Sequence, residues 1–200
     1  MAQQASRAGT EAASNAATRR ILPGEYAVTS EDESLVTVLG SCISACIRDP
    51  VAKVGGMNHF MLPEDGGGGD RWLDPKIGLA TRYGSHAMEK LINDLLKRGA
   101  RRERFEIKLF GGGKILISQT DVGNRNIAFI RDFLAKEGYK AAAEDLGGNT
   151  PRMLAYFPRT GKARVKHMQP LESRIIAESE RAYMTKIGTE DQTGDVELFD

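Results

Sequence analysis

The segment running from Ile43 to Leu62 constrains the fold more than any other. Ile43, Ala45 and Ile47 alternate with Ser44, Cys46 and Arg48, the period of a strand whose two faces differ. Asp49-Pro50-Val51-Ala52-Lys53 follows, with Asp and Pro in favoured turn positions. Val54 to Leu62 then reads as a second strand. Two strands about such a turn pair as an antiparallel hairpin. Centred between residues 50 and 51, that hairpin sets Cys42, at the start of the first strand, opposite His59. Opposed side chains share a face, with Cβ atoms about 4.5–5.5 Å apart.

A thiol beside an imidazole has chemistry that neither has alone. Free cysteine, with a pKa of about 8.5, is largely protonated at neutral pH. An adjacent ring accepts the proton, leaving a thiolate able to attack a carbonyl, and then returns a proton to the leaving amine. Gly40 removes bulk beside the nucleophile, and backbone N–H groups around Ser41 and Cys42 suit an oxyanion site. The residues alone leave two readings open: this catalytic pair, or a buried thiol beside a hydrogen-bonded core histidine. The catalytic reading requires sulfur and ring side by side where solvent reaches them.

The remaining cysteine and histidines offer less. Cys46 lies four strand residues from Cys42, roughly 13 Å away, and reads as packing. His86 falls off the apolar stripe of its helix, and His167 sits in a charged late strand. No zinc-ligand spacing emerges. Gly111-Gly112-Gly113-Lys114 lacks the phosphate-loop pattern because Ile115 follows the lysine; it reads as a tight turn approaching the active site. The segment "PEDGGGGDRWLDP" reads as a surface loop, with Trp72 available as a substrate contact.

Further strands are expected at 25–29, 35–39, 105–110, 140–146, 153–157 and 163–168. Helices are expected at 77–98, 122–137 and 171–187. Strands outnumber helices and most connections are hairpin-like. The expected class is α+β: a mixed, mainly antiparallel sheet layered with helices, around a thiol-hydrolase-like site. Residues 1–20, rich in Ala, Ser, Gln and Arg, read as a disordered arm. Residues 21–187 form one domain, and 188–200 an acidic flexible tail. Lys and Arg total 28 against 27 Asp and Glu, a net charge of +1, which argues against a broad grip on nucleic acid. The basic run at 97–104 reads as a solvated helix end. No apolar run approaches the roughly 20 residues of a membrane span, and two free thiols suit a reducing cytoplasm.

"GEYAV", "LGSC", "DPVAKVGGMNHFMLP", "KLFGGG", "DVGNRN" and "AEDLGGN" occur in an order and spacing that resemble the CheD family, the chemoreceptor glutamine deamidases of bacterial chemotaxis. The resemblance covers residues 22–166. It implies hydrolysis of glutamine side chains on cytoplasmic helices of methyl-accepting receptors, giving glutamate and ammonia. It implies Cys42 as nucleophile, His59 as general base and Thr37 as the hydroxyl that orients the ring. It implies neither metal nor organic cofactor, and in some systems a CheC-type phosphatase as partner. Two rivals remain: a thiol amidase with a different protein substrate, and a non-catalytic adaptor that binds receptors or the phosphatase.

Overall fold

A computed structural model describes residues 17–63, 75–115 and 121–190. The loop containing Trp72, residues 1–16 of the expected arm and residues 191–200 of the expected tail lie outside the described residues. Nine strands and three helices appear among the described residues: β1 (Ala17–Arg20), β2 (Tyr26–Thr29), β3 (Glu33–Leu39), β4 (Ile43–Asp49), β5 (Val54–Asn58), α1 (Pro75–Lys97), β6 (Glu106–Gly111), α2 (Val122–Lys136), β7 (Ala141–Leu146), β8 (Arg152–Phe157), β9 (Lys162–His167) and α3 (Pro170–Glu190). The α+β class holds. The strands divide into two sheets, β1-β3-β8-β9 and β2-β5-β4-β6-β7. Five of the seven strand pairs are antiparallel; β1 with β3 and β6 with β7 are parallel.

The alternation in β4 explains the layering. Ile43, Ala45 and Ile47 join Met88, Leu91, Ile92 and Leu95 of α1 and Ile127, Ile130, Phe133 and Leu134 of α2 in one core. Cys42 and Cys46 face the other way, into a second core with Leu35 and Leu39 of β3 and Leu154 and Tyr156 of β8. The five-stranded sheet is therefore buried on both faces, by helices on one side and by the four-stranded sheet on the other. The helix stripes at three- and four-residue spacing are what make this possible. Among the described residues, no helix is long and apolar enough to cross a membrane.

Three expectations shift in detail. β1 takes the last four residues of the segment read as an arm, running beside β3 with all four residues exposed; backbone pairing orders a stretch too poor in apolar side chains to order itself. α3 continues to Glu190, three residues into the segment read as tail. The hairpin forms, but its centre moves by one residue. Cys46 opposes Met57 and Asp49 opposes Val54, and Ile43 bridges Phe60.

Asp49 causes that shift. Its Oδ1 accepts from the N–H of Val51 (2.9 Å) and of Ala52 (3.0 Å), and Lys53 closes the turn at φ +55°. Its Oδ2 accepts from Arg101 N (2.9 Å) and from Arg104 Nε (2.8 Å) and Nη2 (2.6 Å), tying the turn to the segment before β6. Burial works to raise the Asp49 pKa, but Arg104 and the three backbone donors outweigh it and hold the carboxyl at about 2, below its ordinary 3.8. Replacing Asp49 with Ala leaves several donors unpartnered and should cost about 2 kcal/mol of unfolding free energy in urea titrations. Because the folded-state pKa is depressed, the Asp49 contribution is complete above pH 3.8 and fades as pH falls towards 2. The stability difference between wild type and Asp49→Ala should shrink over that window.

Candidate active site

Cys42 occupies the crossover between the sheets, at the end of a three-residue link from β3 to β4. The link's carbonyls are all held from one side. Gly113 N donates to Gly40 O (2.7 Å) and Gly112 N to Cys42 O (2.8 Å); Asn126 Nδ2 of α2 donates to Ser41 O (2.8 Å). Asn126 is fully buried, and its Oδ1 accepts from Leu62 N at 3.0 Å. Tying back the Gly40 and Ser41 carbonyls turns the opposed N–H groups of Ser41 and Cys42 the other way, where Gly40 N–H joins them. Both sides of this contact are glycine, and Gly111 is required to be. Gly111 has φ +110°, and a Cβ there would lie 2.0 Å from Cys42 O. A Cβ on Gly40 would lie 2.1 Å from Ile115 Cδ1 and 2.8 Å from Glu180 Oε2.

The three N–H groups converge on a carboxylate supplied by α3. Glu180 Oε1 accepts from Gly40 N (2.9 Å) and Cys42 N (3.3 Å). Its Oε2 accepts from Ser41 N (2.8 Å) and Ser41 Oγ (2.7 Å). Glu180 is 2 % exposed. Four donors around one buried carboxylate form an anion pocket.

His59 follows the end of β5. Its backbone groups face the other neighbour, while Phe60 still pairs with Ile43 of β4: His59 N donates to Glu25 O (2.9 Å), and Gly24 N donates to His59 O (2.8 Å). The shifted register does not oppose Cys42 and His59 directly. It offsets them diagonally by two residues, which preserves the shared face. The Cys42 sulfur, a ring nitrogen of His59 and a carboxylate oxygen of Glu180 all lie within 4.8 Å of one another. Thr37, from the other sheet, completes the group. Its hydroxyl donates to Ile21 O (2.7 Å) and lies 2.8 Å from His59 Nδ1. Its one proton being committed to Ile21, the Thr37 oxygen accepts from Nδ1–H, so the neutral ring carries its bare lone pair on Nε2. That nitrogen is buried and has no hydrogen-bond partner.

The structure thus gathers Thr37, Ser41, Cys42 and His59. It differs from the sequence reading on exposure: Cys42 is fully buried and His59 is 2 % exposed, because α3 lies over them. A cavity of about 220 Å³ runs alongside, lined by Ile21, Thr37, His59, Ile175, Ser179 and Glu180 among others. Cys46 is buried in the second core, whereas His86 and His167 are exposed, His167 lying 3.4 Å from Asp145. Cys42, His59 and Glu180 also have the donor types of a metal site. The Glu180 oxygens, however, are directed at four N–H and O–H donors, which favours an anion pocket over a ligand set.

Sequence reasoning missed Glu180 and Asn126. An acidic residue in a polar helix carries no local mark of burial, and Asn126 is visible only as part of "DVGNRN". Burial, then the charge and hydrogen bonding of Glu180, push the Cys42 thiol well above its ordinary range, against a lesser opposing backbone N–H. Burial pulls the His59 ring down to about 4, against the raising effects of Glu180, the Ile21 backbone and Glu25. Here the pair is neutral thiol and neutral imidazole. A ring whose pKa falls from 6.5 to about 4 on folding stabilises the fold fully above pH 6.5 and loses that contribution as pH falls through 4. Nitrogen-detected NMR should show His59 protonated on Nδ1 alone down to about that pH; a ring titrating near 6.5 would contradict this geometry.

Comparison with known proteins bears on the whole chain. The family described as "CheD chemotactic sensory transduction" matches residues 61–167. A protein of Hydrogenovibrio crunogenus named "Probable chemoreceptor glutamine deamidase CheD" is 49% identical over 182 residues, covering 91% of this chain and 94% of that one. One of the same name from Janthinobacterium sp. (strain Marseille) is 53% identical over 182 residues, covering 90% and 88%. Another, from Halorhodospira halophila, is 48% identical over 180 residues, covering 90% and 83%. The chain belongs to the CheD family.

Proposed function

We propose that this CheD-family chain is a protein-glutamine glutaminase that deamidates glutamine side chains of methyl-accepting chemoreceptors through a thioester on Cys42. The observation that carries the reading is the carboxylate pocket at the thiol: three successive N–H groups and the Ser41 hydroxyl, beside a ring whose free nitrogen has no other partner. The similarly named relatives supply the substrate class.

The chemistry follows from the geometry. His59 Nε2 takes the Cys42 proton, and the thiolate attacks the side-chain amide carbon. The amide oxygen gains negative charge where the N–H groups of Gly40, Ser41 and Cys42 converge. Imidazolium then protonates the amine, and ammonia leaves a thioester. Water, deprotonated by the same nitrogen, attacks the thioester; the thiolate departs and a glutamate carboxylate remains. Thr37 holds Nδ1–H throughout, keeping Nε2 directed at the reaction. A cytoplasmic location belongs to the same proposal, because the receptor helices it would act on lie there. The family likeness extends the proposal to a CheC-type phosphatase as a second partner, measurable by co-elution of the mixed proteins.

The test is incubation with a cytoplasmic receptor fragment, reading ammonia and the amide-to-acid mass gain on receptor peptides. Cys42→Ala should abolish both while retaining receptor binding. Signal equal in Cys42→Ala and wild type would leave the adaptor reading in possession. Thr37→Val should lower kcat on the order of a hundredfold with little change in KM, because it frees the ring without touching substrate contacts.

A further inference from the structure

α3 reaches the site along one narrow stripe. Ala177, Glu180, Tyr183, Met184 and Ile187 fall at three- and four-residue intervals. Ala177, Tyr183 and Met184 pack on the core that contains Cys42, and Ile187 is 3 % exposed. The Tyr183 hydroxyl lies 2.5 Å from that of Tyr83 on α1, and a Cβ on Gly24 would come within 2.5 Å of it. The outward side of the helix is open, with Ile175 72 % exposed. The one charged side chain of this stripe enters the anion pocket.

Resting on the reaction proposed above, we propose that α3 is a self-inhibitory segment: it occupies the docking strip of a substrate helix, and the Glu180 carboxylate sits where the product carboxylate forms. The argument is one of chemical identity. Deamidation turns a helix-borne carboxamide into a helix-borne glutamate. Glu180 is a helix-borne glutamate, and each of its oxygens is held by donors of the oxyanion site beside Cys42 and His59. The strip therefore accepts an intact helix carrying a five-atom acid or amide side chain, and α3 is such a helix supplied in cis. The closed arrangement also silences the nucleophile, since a buried anion beside a thiol opposes its ionisation. Substrate must displace α3, and the two compete for one surface.

Glu180→Gln in the full chain tests this directly, because α3 then carries the amide itself. The side chain at position 180 should be hydrolysed to the acid, read by mass spectrometry of the α3 peptide, and should persist as amide when Cys42→Ala is added. Independently, alkylation of Cys42 by iodoacetamide reports the cover without reference to any substrate. If the open form is populated at about 0.1–10%, removing residues 170–200 should speed alkylation by roughly ten- to a thousandfold. Glu180→Ala in the full chain, which keeps the rest of α3, should speed it in the same direction. A synthetic 170–190 peptide added to the truncated chain should slow alkylation again, and a peptide with Ala at the position of Glu180 should not. Equal alkylation rates in the full chain, Glu180→Ala and the truncated chain would overturn the proposal. Faster alkylation without receptor deamidation by the opened enzyme would uphold the cover and remove the proposed reaction instead.

Discussion

Everything at the site depends on how three carbonyl groups are restrained. Gly40, Ser41 and Cys42 link β3 in one sheet directly to β4 in the other. A peptide plane is rigid, so fixing the Gly40 and Ser41 C=O directions fixes the opposed N–H groups of Ser41 and Cys42, while the Cys42 C=O leaves Ile43 N–H to pair with Phe60. The glycine run after β6 and Asn126 of α2 each supply donors to those carbonyls. An anion pocket results from backbone alone, and a serine hydroxyl completes it. The helix layer, whose Asn126 lies 85 residues along the chain from Ser41, thereby determines the electrostatics on the far side of the five-stranded sheet.

The second constraint is division of labour between sheets. Thr37 comes from one sheet, His59 from the other, and Cys42 from the connection. Bringing the thiol, the ring and the hydroxyl together therefore requires the two sheets to be packed, which the shared apolar core of Leu35, Leu39, Met57, Met61 and Leu154 enforces. A site assembled this way exists only in the folded state. It also explains why Met61 and Cys42, opposed across the hairpin extension, are both fully buried.

Much of this was readable in the residues, and the failures have physical causes. Strand period, turn chemistry and helix stripes located nearly every element within a few positions. The residues pair Cys42 with His59 across a hairpin centred one residue early; Asp49, the last residue of β4, makes the Asx turn that sets the observed centre. The error was harmless because moving the centre by one residue moves the partner by two and keeps parity. Thr37 rested on family likeness, since a threonine in a strand has no signature of its own. β1 was invisible because its order comes from its neighbour. Glu180 was invisible because its meaning lies in what it meets from about 140 residues away, a separation that local periodicity never samples.

Burial beneath α3 has a bearing on chemical endurance. Oxidants and heavy metals react with exposed thiolates, and much less with a protonated sulfur shielded by packed side chains. In this arrangement the buried, protonated Cys42 sulfur is kept in the reduced form.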